Sequence, residues 1–64
     1  MLDRKKVQKR REELKLSQPE AAKLAGFKTF QQWAKLEQVD TDARATTLAA
    51  VAKALRCKVD ELLK

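Results

Sequence analysis

Apolar residues recur at helical spacing along the whole chain. Asp3 is a favourable N-cap residue, and Val7 and Leu14 follow it two turns apart on one face of a helix. This pattern predicts a first helix that begins after Asp3 and runs to about Lys15.

The strongest local signal marks the start of a second helix. Ser17–Glu20 has the pattern of a capping box, with Pro19 at the first helical position. Gly26 readily adopts the left-handed conformation, so it is predicted to end this helix after little more than two turns. A helix this short and rich in alanine can pack closely against its neighbours.

A third helix is predicted to begin at Thr29, with Gln32 completing another capping-box pattern. Phe30, Trp33 and Leu36 recur at steps of three residues and are predicted to face the core. The other positions present an unusual row of amides with one cation to solvent: Gln31, Gln32, Lys35 and Gln38.

The last third of the chain predicts a loop and two more helices. Residues 39–44 lack an apolar period, and Thr46 or Thr47 is then expected to cap a fourth helix. Its apolar residues follow the i, i+3, i+4, i+7 pattern: Leu48, Val51, Ala52 and Leu55. A short helix around Val59 to Leu63 completes an all-α domain of five helices over residues 1–64.

Composition narrows the classes of function. Fifteen Lys and Arg residues against nine Asp and Glu give a net charge of +6, which favours a polyanionic partner. With no histidine and one cysteine, the chain offers no His/Cys metal cluster and no Ser–His triad, so no enzyme, metal or cofactor is predicted. Apolar runs are too short for a membrane span and no signal peptide is recognised, so we expect a cytoplasmic protein without a membrane partner.

Two short helices joined through a glycine, the second with an amide-rich outer face, are the elements of a helix-turn-helix. The sequence resembles the Cro and phage-repressor-like (XRE) family in Leu16–Gln18, Glu20–Gly26, Leu36–Glu37, Ala52–Leu55 and Asp60–Leu63. The order and spacing of these pieces over most of the chain carry the resemblance. It implies a compact lambda-repressor-like bundle that binds double-stranded DNA through helices two and three.

The resemblance also implies roles for individual residues. Base contacts are implied for Thr29, Gln31, Gln32 and Lys35, and phosphate contacts for Arg4, Gln18, Lys28 and Gln38. Arg11 and Glu37 match a charged pair that ties helix one to the end of helix three. A glutamine amide suits base reading because it can bond N6 and N7 of adenine together.

The sequence departs from the family pattern at several positions. The connection between Gly26 and Trp33 is one residue longer than usual, so Thr29 or Ala34 could occupy a base-reading register. Arg56 stands where the family often ends a helix with glycine, and Arg10 replaces an apolar residue whose place its aliphatic stem is expected to cover.

Other interpretations stay open at this point. The amide row could be an ordinary solvated helix face, with Gln32 engaged in capping, and the basic run from Arg4 to Lys9 could be solvated rather than bound to phosphate. An antitoxin-like or bridging module, whose helix-turn-helix is partly a scaffold for a protein partner such as a toxin, is the alternative function.

The preferred prediction is a sequence-specific regulator of transcription that places helix three in the major groove. One helix reads only a few base pairs, so a two-fold dimer is predicted, at least on DNA. Its contacts are expected from apolar residues of the last helix and the segment before it, namely Cys57, Val59, Leu62 and Leu63.

Overall fold

The protein folds into four α-helices and a final 3₁₀ helix, and the computed structural model describes all 64 residues. The elements are α1 (Arg4–Glu13), α2 (Gln18–Leu24), α3 (Phe30–Gln38), α4 (Ala45–Ala54) and the 3₁₀ helix (Val59–Leu62). The predicted all-α class is therefore confirmed. None of the helices combines the length and the apolar character that crossing a membrane requires.

The fifth predicted helix is 3₁₀ rather than α-helical. The amide of Glu61 bonds the carbonyl of Lys58, three residues earlier, at 3.1 Å. The flanking residues Lys58 and Leu63 are both extended, which leaves only four residues between them. A single tight turn is the usual form of so short a segment.

The first two helices begin as the sequence predicts. The Asp3 side chain accepts a hydrogen bond from the Lys5 amide at 2.9 Å. At α2 the Ser17 hydroxyl accepts from the Glu20 amide at 3.2 Å, and the Glu20 carboxylate accepts from the Ser17 amide at 3.0 Å. These bonds satisfy backbone donors that a helix start leaves free. Gly26, with φ of +80°, follows the end of α2 in the left-handed conformation that was expected there.

The cap of α3 differs from the prediction. Thr29 occupies the N-cap position, but its side chain makes no cap hydrogen bond. Gln32 reaches one residue further back instead, and its side-chain oxygen accepts from the Lys28 amide at 3.1 Å. The capping box predicted for Thr29 and Gln32 is therefore wrong, although Gln32 does stabilise the entry into the helix.

Two other helix boundaries also differ. Helix α4 begins at Ala45 with the extended residue Arg44 at its N-cap, so neither Thr46 nor Thr47 caps it. Helix α1 ends at Glu13, before the predicted end near Lys15, which adopts φ of +57°. A left-handed residue cannot continue a right-handed helix, so the chain turns there.

One apolar core joins all of the elements. Its fully or nearly fully buried members are Leu2, Val7, Ala21, Ala22, Trp33, Leu36, Val51, Ala52, Ala54, Leu55 and Leu62. Trp33 is the largest of them, and the ring of Phe27 packs against it with a centroid distance of 6.1 Å. The small side chains of Ala21 and Ala22 allow the close approach of α2 that its composition suggested.

Phe30 does not lie in the core, contrary to the prediction from its spacing. Its side chain is 49% exposed, whereas Trp33 and Leu36 are 0% and 5% exposed. Steps of three residues fall about 60° short of a full helical turn, so such a series drifts around the helix and its first member leaves the buried face. Phe27, in the turn before α3, supplies the aromatic contact to Trp33 instead.

The two chain ends pair with each other and with the loop before α4. Leu2, whose side chain is fully buried, forms isolated β-bridges with Thr41 and Leu63. The Asp3 amide donates to the Leu62 carbonyl at 2.9 Å. No sequence pattern indicated this pairing.

Candidate nucleic-acid interface

Helices α2 and α3 form the helix-turn-helix, and they make the most extensive contact of any pair of elements. Residues 25–29 connect them. This five-residue connection is longer than the three or four residues common in the motif. The lengthening agrees with the extra residue noted in the sequence.

Helix α3 divides into a buried face and an outward face. The buried face consists of Trp33, Leu36 and Glu37. The outward face carries the residues for which base contacts were inferred together with the last residue of the helix: Gln31, Gln32, Lys35 and Gln38, all of them exposed. Thr29, just before the helix, is exposed as well.

The outward face has a centre and two edges. At 100° per residue, Gln31, Lys35 and Gln38 follow one another along its middle. Gln32 lies toward one edge, where its oxygen accepts from the Lys28 amide and its amide nitrogen remains for another partner. Ala34 lies toward the other edge and is half-buried.

A buried carboxylate holds α3 in place from behind. Glu37 accepts two hydrogen bonds from Arg11, Nε to Oε2 at 2.7 Å and Nη2 to Oε1 at 3.0 Å. Gln18 Nε2 donates to Oε1 at 3.2 Å, and Trp33 Nε1 donates to Oε2. Arg11 Nη1 also donates to the Leu16 carbonyl at 2.7 Å. We call Arg11, Gln18, Trp33 and Glu37 the Glu37 cluster; it joins α1, α2 and α3.

The pair at the centre of this cluster stays ionised. The side chains of Arg11 and Glu37 are only 12% and 4% exposed. Burial by itself raises the pKa of Glu37, but the hydrogen bonds from Arg11, Trp33 and Gln18 outweigh it and leave the pKa below its ordinary value. The bond to Glu37 likewise raises the pKa of Arg11. The structure thus brings together the two charged residues that the family resemblance paired.

Gln18 links this buried cluster to the surface. It is the first residue of α2 and is half-buried. One amide hydrogen points to Glu37, and an amide nitrogen carries two, so a second hydrogen is available to an outside acceptor. The cluster therefore orients the group for which a phosphate contact was inferred.

The other three residues for which phosphate contacts were inferred lie on different elements of the fold. Lys28 is exposed in the turn before α3, and Gln38 is exposed at the end of that helix. Arg4 is half-buried at the start of α1, where its backbone amide donates to Asp40 Oδ1 at 3.0 Å. Asp40 follows the end of α3 closely, so Arg4 lies toward that end of the helix but beside an acidic group.

The surface predicted to form a dimer is smaller than the sequence suggested. Leu62 is 1% exposed within the single chain, so it has no apolar surface to offer a second copy and the prediction is corrected for this residue. Cys57, Val59 and Leu63 are half-buried, and Cys57 and Val59 pack against the core. Burial raises the pKa of the Cys57 thiol, as suits a small apolar group.

Two side chains make polar contacts that were not predicted from the sequence, and helical spacing indicates the first of these contacts. Trp33 and Glu37 are four residues apart on α3, which puts their side chains on one face, but Trp33 was assigned to the core only. Arg10 was expected to cover the core with its stem; its guanidinium also donates to the carbonyls of Leu55 at 2.9 Å and Arg56 at 3.2 Å, at the end of α4.

The fold and the outward face of α3 define a helix-turn-helix protein. Residues 7–62 match the helix-turn-helix family model. The chain belongs to the Cro and phage-repressor-like (XRE) helix-turn-helix family, a family of DNA-binding regulators. No curated protein and no solved structure matches it.

Proposed function

We propose that this protein is a sequence-specific regulator of transcription that binds double-stranded DNA and reads its major groove with α3. The observation that carries the proposal is the outward face of that helix. Gln31, Gln32 and Lys35 are exposed there, while the opposite face is held by the Glu37 cluster. A fixed helix that presents amides and a cation outward has the chemistry that base edges require.

The residue types suit the groove. The oxygen and nitrogen of a glutamine amide pair with N6 and N7 of adenine, and a lysine ammonium donates to O6 and N7 of guanine. Gln31 and Lys35 are one helical turn apart, so they would address neighbouring base pairs. Gln32, whose oxygen is already bonded to the Lys28 amide, would act through its amide nitrogen as a donor.

Phosphate contacts would set the register of the protein on the duplex. The second amide hydrogen of Gln18 and the ammonium of Lys28 lie at the start of α2 and in the turn before α3. Such contacts carry affinity but no sequence preference. A net charge of +6 supports binding that weakens as salt is added, because released counterions contribute less at high salt.

The proposal includes a two-fold dimer on DNA. Two copies would place their α3 helices about 34 to 36 Å apart, one turn of the duplex. The half-buried residues Cys57, Val59 and Leu63 supply the remaining apolar surface at the C-terminal end. Because that surface is small, association would be weak without DNA and would depend on the duplex to hold the two copies together.

Selection of bound sequences from a random duplex pool tests the proposal. Wild-type protein should enrich a short palindromic site. Gln31→Ala should weaken that site by about 1 to 3 kcal/mol and relax the preference at one base position, while Gln18→Ala should weaken all sequences alike.

Gln8→Ala is the matched control, because Gln8 is an exposed glutamine on α1 with no assigned contact. It should select the wild-type site. Recovery of random sequence by the wild-type protein would refute the proposed function, and an unchanged consensus with Gln31→Ala would refute the assignment of that residue.

A further inference from the structure

Phe30 is a large apolar residue that remains half-exposed to solvent in the folded protein. It is the first residue of α3, and its side chain is 49% exposed. The core does not need it, since the ring of Phe27 makes the aromatic contact with buried Trp33. Its exposure is therefore a feature of the surface at the start of the helix assigned to base reading.

The position of Phe30 on that helix places it beside the amides. Ala34 follows it by one turn, while Gln31 and Lys35 occupy the next row around the helix. We call Phe30 and Ala34 the apolar row. The outward side of α3 thus carries a polar row and an apolar row next to each other.

The major groove has both kinds of group to match. A T·A pair shows the N6 and N7 atoms of adenine and, beside them, the O4 atom and the C5 methyl group of thymine. Apolar side chains contact that methyl group, and in helix-turn-helix proteins the N-terminal residues of the recognition helix meet the base edges. Phe30 is at the N-terminal end of the recognition helix.

We propose that Phe30 packs against the C5 methyl group of a thymine and so specifies thymine at one position of the bound site. The inference rests on the proposed function, because it requires α3 to lie in the major groove. Burying one methyl group contributes a factor of about 4 in affinity, which is ~0.8 kcal/mol.

The test changes the DNA by removing the methyl group of thymine. Each thymine of the selected site is replaced, one at a time, by deoxyuridine, which lacks only that methyl group, and dissociation constants are measured by fluorescence anisotropy. Wild-type protein should lose about fourfold in affinity at one position. Phe30→Ala should bind the thymine and deoxyuridine duplexes equally, and Phe30→Leu should retain part of the difference.

Val39→Ala is the matched control, since Val39 is an exposed apolar residue, 52% accessible, just beyond the end of α3. It should keep the wild-type ratio between the two duplexes. Circular dichroism checks that each variant is folded. The deoxyuridine series uses wild-type protein, so it tests the methyl contact even if a variant does not fold.

The outcomes separate this inference from the proposed function. Selective binding with no response to deoxyuridine at any position would overturn the role of Phe30 and leave the proposed function standing. An equal loss of affinity on deoxyuridine substitution in wild-type and Phe30→Ala protein would also overturn the role of Phe30. So would a Phe30→Ala variant that binds every duplex as tightly as wild-type protein, which is the result expected if Phe30 instead contacts a partner protein. Wild-type protein that selects no sequence would overturn both.

Discussion

Substitutions at Arg11 and Glu37 should have strongly coupled effects on the free energy of unfolding. The substitution of Glu37 alone should cost more stability than the substitution of Arg11 alone. Arg11→Met leaves the buried Glu37 carboxylate with donors from Gln18 and Trp33 only. Removing one partner of a buried pair costs about 3 to 5 kcal/mol. Since a chain of 64 residues has a total stability of roughly 3 to 10 kcal/mol, this single change would bring the domain close to unfolding.

Glu37→Leu should cost still more. It removes the acceptor for both Arg11 bonds, for the Gln18 amide and for the Trp33 ring nitrogen. Each buried donor left without a partner costs about 1 to 3 kcal/mol. Arg11 keeps its bond to the Leu16 carbonyl, but that bond does not neutralise its charge.

The double variant Arg11→Met with Glu37→Leu removes both charges and should be less destabilised than the sum of the single changes. We expect a coupling energy of about 2 to 3 kcal/mol, at the upper end of values for residues in contact. Urea unfolding followed by far-UV circular dichroism is the suitable assay. Fluorescence of Trp33 is not, because its ring nitrogen itself donates to Glu37 and its emission would respond to the substitution locally.

The chain offers its own control for this cycle. Arg10 and Glu13 form an exposed ion pair at 3.5 Å, with side chains 36% and 51% exposed. The same substitutions in that pair should give a coupling energy below about 0.5 kcal/mol. If the Arg11 and Glu37 changes prove additive within that same limit, the Glu37 cluster does not hold α3 in place and the reasoning fails.

Two further predictions concern stability. Because the folded pKa of Glu37 lies below its ordinary value, the stability that its charge contributes is fully present above that ordinary pKa and is lost as pH falls through the lowered pKa. Glu37→Gln should therefore flatten the acid limb of a stability profile, and an identical limb would contradict this. Lys15 and Arg56 adopt φ of +57° and +54°, a conformation that glycine adopts more easily. Lys15→Gly or Arg56→Gly should therefore raise the free energy of unfolding by up to about 1 kcal/mol, whereas Lys53→Gly inside α4 should lower it by about the same amount. Thermal melts that show the same sign for all three glycine variants would argue against strain at the two left-handed positions.

The sequence by itself determined where α1 begins and where α2 begins and ends. The capping box of Ser17 and Glu20, the cap at Asp3 and the left-handed Gly26 each act through bonds or backbone preferences within four residues, so they are readable without a fold. The same holds for the outward amides of α3, because any helix that buries Trp33 and Leu36 must turn Gln31 and Lys35 away. These local signals were enough to predict the all-α class and the helix-turn-helix.

Only the tertiary structure decided which groups meet across the chain. Phe27 rather than Phe30 packs on Trp33, and Leu2 is buried through pairing with Thr41 and Leu63. Likewise, only the approach of α1 and α2 to α3 adds three hydrogen bonds from Arg11 and Gln18 to the Glu37 carboxylate, which also accepts one from Trp33 on its own helix. Spacing along one helix sets the direction of a side chain, but burial and hydrogen bonding depend on what neighbouring elements place against it, and that information is spread over residues far apart in sequence.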